Sequence, residues 1–220
     1  MIHKTPFTPF YDVDGITIYN LDSRKLLPWL DPVDLLLTDP PYGIGEAKKN
    51  HASRSRIAKR KDYRSSDWDD SPPASWFIQS AKELSSTQIL WGGNYFGLEP
   101  SPCWLVWDKD NGASDFADCE LAWTNMQRAV RKFQWRWAGM LQEHGGDRKE
   151  VRFHPTQKPL ALMRWCLSLV PDAQTVLDPF MGSGTTLLAA KLEGRRAIGI
   201  EQNEEYCRSA VDRLAQKTLF

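Results

Sequence analysis

"TVLDPFMGSGTTLLAAKLEGRRAIGIE", residues 175–201, decides the fold. "TVLD" is a short apolar run that ends on Asp178, and the glycine-rich turn "FMGSG" follows it. "GTTLLAAKLEG" then has the apolar face of a helix and stops at Gly194, a residue type favoured just past a helix end. "RAIGIE" is a second apolar run, and it ends on Glu201. Apolar runs of this length bounded by turn residues are expected to be buried strands, so the whole stretch is a β-loop-α-β unit.

The unit also carries chemistry. Glycines in the first turn let a ligand approach the backbone, and an acid after the second strand can bind ribose hydroxyls, as an adenosine-type cofactor requires. The three-glycine dinucleotide fingerprint is absent, and no lysine follows the loop as in a phosphate-binding P-loop. Taken alone, a glycine-rich loop can be a mere strand-to-helix turn, but the acids at both strand ends strengthen the cofactor reading, with capping of the following turn or helix as the lesser alternative.

Outward from this unit, β-like runs recur at 15–20, 33–39, 87–93, 103–108 and 119–125. Several are continuously apolar, as in a sheet covered on both faces. Helical patterns lie in "PPASWFIQSAKELSS", "KPLALMRWCLSLV" and "NEEYCRSAVDRLAQK". The last opens on an asparagine cap with early acids and finishes basic, matching the helix dipole. This alternation implies an α/β fold with a doubly wound, mostly parallel sheet. The 220 residues suit a single domain. Residues 43–71 and 124–153 fit neither period and are expected to be long functional loops.

A second informative stretch is "LLLTDPPYGIG", 35–45. An apolar strand ends on a carboxylate, and two prolines then fix the backbone. Either this is a mere turn, or it holds a carboxylate and a carbonyl rigidly as acceptors.

Composition excludes little else. Hydrophobic residues make up 41% and charged residues 25%, ordinary values for a globular protein. No apolar run approaches the ~20 residues of a membrane span, and the N-terminus has no signal-peptide core. The four cysteines lie far apart without zinc spacing, so no metal site and a reducing, cytoplasmic setting are expected. Net charge is zero, but residues 48–64 hold eight Lys/Arg against one acid, and 128–136 hold four against none. Lys59, Arg60, Lys61 and Arg64 in the first run, and Arg128, Arg131, Lys132 and Arg136 in the second, are candidate phosphate contacts. Trp135 and Trp137 sit among the latter.

"DPPY" at 39–42 together with "DPFMGSGTT" at 178–186 resembles the S-adenosylmethionine-dependent DNA methyltransferases that modify exocyclic amino groups. The order of the motifs, catalytic first and cofactor last, is similar to their circularly permuted beta group. "ITIYNLDSRKLL", "WGGNYF", "CWLVWDK" and "HPTQKPLALM" resemble further segments of that family. The resemblance implies a Rossmann-like methyltransferase sheet of seven strands, one of them antiparallel. In it, the strand at 15–20 lies beside that at 196–200, and 33–38 lies on the other side of 175–178.

The resemblance also implies roles. Asp39 and the Pro40 carbonyl would accept the two hydrogens of the target amino group. Pro41 would stiffen the turn, and Tyr42 would stack on an extruded base. Asp178, Phe180, Gly182, Ser183, Gly184 and Thr185 would cradle the methionine end of the cofactor. Glu201 would bind its ribose, Asp22 would lie near the adenine, and Lys158, like Asp39, would lie beside the methionine end. The substrate implied is adenine N6 in double-stranded DNA, with cytosine N4 as the alternative. A non-catalytic DNA-binding subunit is the alternative of another class, and its sign would be damage to one motif. Both loops are short for a full recognition domain, so a short recognition site or a homodimer partner is expected to complete recognition. Cys103 in "SPCW" superficially matches the nucleophile of carbon-5 cytosine methyltransferases, but it opens an apolar strand and is expected to be core.

Overall fold

The structure is a computed structural model, which describes residues 5–43, 73–111, 117–138, 141–142 and 157–216. Strand β1 (Tyr11–Val13) pairs antiparallel with β2 (Ile16–Asn20). Then follow α1 (Ser23–Leu26), β3 (Val33–Thr38), α2 (Ser75–Glu83), β4 (Ser85–Trp91), β5 (Trp104–Asp108), β6 (Cys119–Thr124) and β7 (Arg131–Gln134). A two-stranded ribbon, β8 (Trp137–Ala138) and β9 (Leu141–Gln142), precedes α3 (Leu160–Ser168). The chain closes with β10 (Thr175–Asp178), α4 (Thr185–Leu192), β11 (Arg196–Glu201) and α5 (Glu204–Ala215).

Among the described residues one sheet has nine strands in the order β1-β2-β11-β10-β3-β4-β6-β5-β7. Strand β11 lies between β2 and β10, and β3 pairs with β10 on its far side, as the permuted order implies. The expectation of seven strands with one antiparallel describes the stretch from β2 to β5, in which β6 alone runs against its neighbours. Two edge strands extend it. Strand β1 is one, and β7 is the other, pairing parallel to β5 from Leu105↔Arg131 to Asp108↔Gln134. Residues 131–134 are therefore sheet edge rather than loop, a correction to the sequence reading. The run "RKFQ" was masked by its charges, because an edge strand needs few apolar residues when most of its side chains meet solvent.

The apolar runs are covered on both faces. Leu35, Leu37, Ile89, Trp91 and Val176 point to one side, where α3, α4 and α5 supply Leu162, Leu187, Ala190 and Ala210. Leu36, Leu90, Leu177 and Ile198 point to the other, onto Leu26, Phe77, Ile78 and Ala81. Continuous hydrophobicity thus resolves into a period of two, each half with its own layer. Asp34 ties the lower end of β3 to β10, because its Oδ2 accepts from Gln174 N at 2.9 Å, Thr175 N at 2.8 Å and Thr175 Oγ1 at 2.7 Å.

Helix α2 stops at Glu83 and β4 begins at Ser85, earlier than the pattern suggests. The Gln88 amide donates back to the Lys82 and Ser85 carbonyls, which closes the turn without a loop. Cys103 is buried, with its thiol on the Ala129 carbonyl, and is core as expected. Cys103, Cys119, Cys166 and Cys207 are all free. Among the described residues no helix is long and apolar enough to cross a membrane, and no cluster of His, Cys, Asp or Glu could hold a metal ion.

Candidate active site

Parallel strands β3, β10 and β11 end side by side, and their last residues or the turns after them carry Asp39, Asp178 and Glu201. A cavity of about 320 Å³ opens at this edge, lined by Asp39, Lys158, Asp178, Phe180, Ser183 and Glu201 among others. Carboxyl edges of an open α/β sheet are where such folds bind ligands. A second cavity, of about 420 Å³, lies at the strand starts, against Gly15, Val33, Thr175 and Arg196, far from both motifs.

The glycine-rich turn is held from every side. Asp178 Oδ1 accepts from Thr38 Oγ1 at 2.7 Å and from Phe180 N at 3.1 Å. Burial pushes the Asp178 carboxyl up to about 6. Gly182 N donates to Glu201 Oε2 at 3.2 Å, and Asn203 N donates to Glu201 Oε1 at 2.8 Å. Burial raises the Glu201 carboxyl, and these amides oppose the rise. Phe180 packs edge-on against Phe77, with ring centroids 5.3 Å apart. Gly184 has φ +76°, and a Cβ there would meet Ala210 Cβ at 2.7 Å, so helix α4 can open against α5 only from glycine. Behind the turn, buried Arg213 donates to Ser183 O at 2.7 Å and to Thr185 Oγ1 at 3.0 Å. Sequence reasoning missed Arg213, because an arginine near a helix C-terminus ordinarily reads as solvated.

The "DPPY" turn forms the other wall. Tyr42 donates its hydroxyl to Asp39 Oδ1 at 2.6 Å, and Lys158 Nζ donates to Asp39 Oδ2 at 2.6 Å. Lys158 thus lies against the carboxylate of the first motif, although it precedes α3 and is 119 residues away in sequence. It also meets Glu120 Oε2 at 3.1 Å, and Lys109 Nζ lies 2.5 Å from Glu120 Oε1. Burial pushes the Asp39 carboxyl up, against the pull of Lys158. For Glu120, burial also acts upward, but the Lys158 and Lys109 ammoniums outweigh it and bring it down to about 2. Burial draws the Lys158 ammonium down, and the two carboxylates more than restore it, so it stays charged.

Tyr42 is less open than a stacking platform would be. Its ring is stacked on Tyr95 at 5.1 Å between centroids, and Phe96 meets it edge-on at 6.3 Å. Gly92, with φ +70°, lies under the same ring, where any Cβ would collide with it. The exposed aromatic at the site is Tyr95, in the short 3-10 turn Gly93–Tyr95.

Other candidates fall elsewhere. Asp22 caps α1 by accepting from Arg24 N at 2.9 Å and pairs with the Arg24 side chain, while its neighbour Ser23 lines the cavity. Lys132 pairs with Asp108 at 3.1 Å, and Arg136 pairs with Asp110. Arg128 donates to the Leu169 carbonyl at 3.2 Å, and Arg131 to its neighbour Val130. Trp137 is buried, with its indole N–H on the Gln157 carbonyl, and Trp135 stacks on Phe133. These tryptophans belong to packing rather than to a basic surface. Lys59, Arg60, Lys61 and Arg64 lie outside the described residues.

A family model described as DNA methylase, of the N6/N4 type, matches residues 106–212. The Type II methyltransferase M2.LlaDCHI of Lactococcus lactis subsp. cremoris is 24% identical, the match covering 94% of this chain and 91% of the relative. The Type II methyltransferase M2.DpnII of Streptococcus pneumoniae is also 24% identical, over 94% of this chain and 92% of its own. Among solved structures, the M1.HpyAVI–SAM complex superposes with a TM-score of 0.56 at 25% identity, over 91% of this chain and all of the other. PvuII DNA methyltransferase (cytosine-N4-specific) shares the fold, with a TM-score of 0.63 at 14% identity over 99% of this chain and 92% of its own. With both motifs at one sheet edge, the chain is similar over nearly its whole length to S-adenosylmethionine-dependent DNA methyltransferases that act on exocyclic amino groups.

Proposed function

We propose that the protein methylates adenine N6 in double-stranded DNA, acting on a base turned out of the helix. The observation that carries this reading is the convergence of Asp39 and the Asp178–Glu201 turn on one cavity. The residues fit the cofactor: a glycine turn with Gly182 at φ +51° exposes backbone, and Glu201 stands at the strand end where ribose hydroxyls would bind. S-adenosylmethionine, when bound, supplies an electrophilic methyl.

The chain's own groups do the rest. A base amino group is a poor nucleophile, because its lone pair is delocalised into the ring. Asp39 accepts one amino hydrogen, and the Pro40 carbonyl accepts the other. Nitrogen can then move towards tetrahedral geometry as it forms the new N–C bond. A carboxylate has about four lone-pair sites, so Asp39 can accept this hydrogen while keeping Tyr42 and Lys158. Pro40 is buried and Pro41 follows it, so the acceptors are held before substrate arrives. The extruded purine would extend the Tyr42–Tyr95 stack, and such stacking is worth roughly 1–3 kcal/mol.

Phosphate contacts are assigned to the basic residues of 48–64 and to Arg128 and Arg131, with Lys132 and Arg136 shared with their acids. A homodimer would bring a second pair of basic segments to the duplex. The test is transfer of labelled methyl from S-adenosylmethionine to duplex DNA, single-stranded DNA, RNA and protein in parallel. Label in duplex DNA is expected, and label only in RNA or protein would contradict the reading.

A further inference from the structure

Four charged side chains from four separate segments form an alternating row across the carboxyl edge. Lys109 follows β5, Glu120 lies on β6, Lys158 precedes α3 and Asp39 follows β3. The contacts run Lys109 Nζ–Glu120 Oε1 at 2.5 Å, Glu120 Oε2–Lys158 Nζ at 3.1 Å and Lys158 Nζ–Asp39 Oδ2 at 2.6 Å. The Tyr42 hydroxyl sits among them, 2.6 Å from Asp39 Oδ1, 3.1 Å from Lys158 Nζ and 3.5 Å from Glu120 Oε2. The lysine in the middle of the row is 6% exposed. Antiparallel β6 makes this juxtaposition, because its first residues end up where the parallel strands finish.

Neither motif accounts for Glu120. A lysine held by Asp39 alone would compete with the amino hydrogens for the carboxylate. It would also stand uncompensated beside a nitrogen that turns positive as its lone pair forms the N–C bond and the C–S pair departs to sulfur. Glu120 changes both terms. It takes part of Lys158, and Asp39, Lys158 and Glu120 together carry a net negative charge next to the reacting nitrogen. Lys109 neutralises the outer oxygen of Glu120, on the side away from Asp39.

We propose that Glu120 is a positioning residue for methyl transfer, acting through Lys158 to keep an Asp39 oxygen available to the target amino group and to hold negative charge beside the nitrogen as it takes the methyl. The amino proton then leaves through Asp39 to solvent. The inference rests on the methyl-transfer reading above.

The test compares the full wild-type chain with Glu120→Gln, Glu120→Asp and Lys109→Met. Single-turnover transfer to duplex DNA at saturating cofactor is followed from about pH 5 to 9, with cofactor affinity measured by calorimetry. Glu120→Gln is expected to slow transfer by about 100-fold, the scale of a misplaced reacting group, with cofactor affinity within a few fold. Its acid limb should move to lower pH, since one negative charge facing Asp39 is gone while Lys158, Tyr42 and the more distant Asp178 stay. Glu120→Asp should recover part of the rate. Lys109→Met should move the limb the opposite way, and this variant decides the matter if Glu120→Gln does not fold. An unmoved acid limb in these variants, or a wild-type rate in Glu120→Gln, would overturn the inference. A wild-type protein that transfers no methyl to DNA would instead refute the reading beneath it.

Discussion

Asp39 has both oxygens engaged in the free protein, by Tyr42 and by Lys158. Removing its carboxylate therefore strands no buried cation, because Lys158 keeps Glu120. Asp39→Ala is expected to fold, to bind cofactor within a few fold of wild type, and to lose about 10²–10⁴-fold in transfer rate. Near-normal turnover in a filter-binding assay would remove Asp39 from the chemistry. Glu201 is expected to act in the opposite way. It holds Gly182 N and Asn203 N and faces the cavity, so Glu201→Ala is expected to loosen the turn and, on the proposed role, to lose the ribose bonds. Bonds to a charged group are worth about 1.5–3 kcal/mol, so affinity should fall roughly ten- to a hundredfold by calorimetry. Asp39 and Glu201 are legible in the sequence because each ends a strand beside proline or glycine punctuation. Glu120 is not legible. It is one acid in "CELAWT", and only the pairing of β6 with β5 and β4 brings it to Lys158.

At the scale of elements, the order around β10 follows from the β-loop-α-β unit and the permuted motifs, because apolar runs of this kind have to be covered on both faces. Strand β7 was hidden because edge strands lack that pattern. The caps were partly legible. Asn203 caps α5 as its sequence suggests, accepting from Glu205 N at 2.9 Å. The role of Asp34 was invisible, since one acid inside an apolar strand gives no hint that Gln174 and Thr175 will meet it. Asp34→Ala leaves those donors unpaired at the start of β10 and is expected to cost about 1.5–3 kcal/mol in urea unfolding. The Thr175 hydroxyl leads in holding the Asp34 carboxyl below its usual range. Its folded value is depressed, so this contribution is present above the ordinary carboxylate range and is lost as pH falls through the folded value. A variant as stable as wild type at neutral pH would show that the tie between β3 and β10 is decorative.

At the scale of the molecule, zero net charge hides an uneven distribution. In the second basic run Lys132 and Arg136 are matched by Asp108 and Asp110, so the first run is left as the stronger candidate for phosphate. Neutralising Lys59, Arg60, Lys61 and Arg64 together is expected to weaken DNA binding and to flatten its salt dependence by about 0.9 per lost phosphate contact. An unaltered slope would mark that run as solvated surface. Adenine and cytosine present the same amino hydrogens to the same turn, so the methylated product identifies the target base. Duplex DNA incubated with the protein and S-adenosylmethionine, digested to nucleosides and analysed by mass spectrometry, addresses it most directly. N6-methyldeoxyadenosine, absent when Asp39→Ala replaces the wild type, is the expected product. N4-methyldeoxycytidine alone would contradict the assignment to adenine, and no methylated nucleoside at all would contradict the catalytic reading itself.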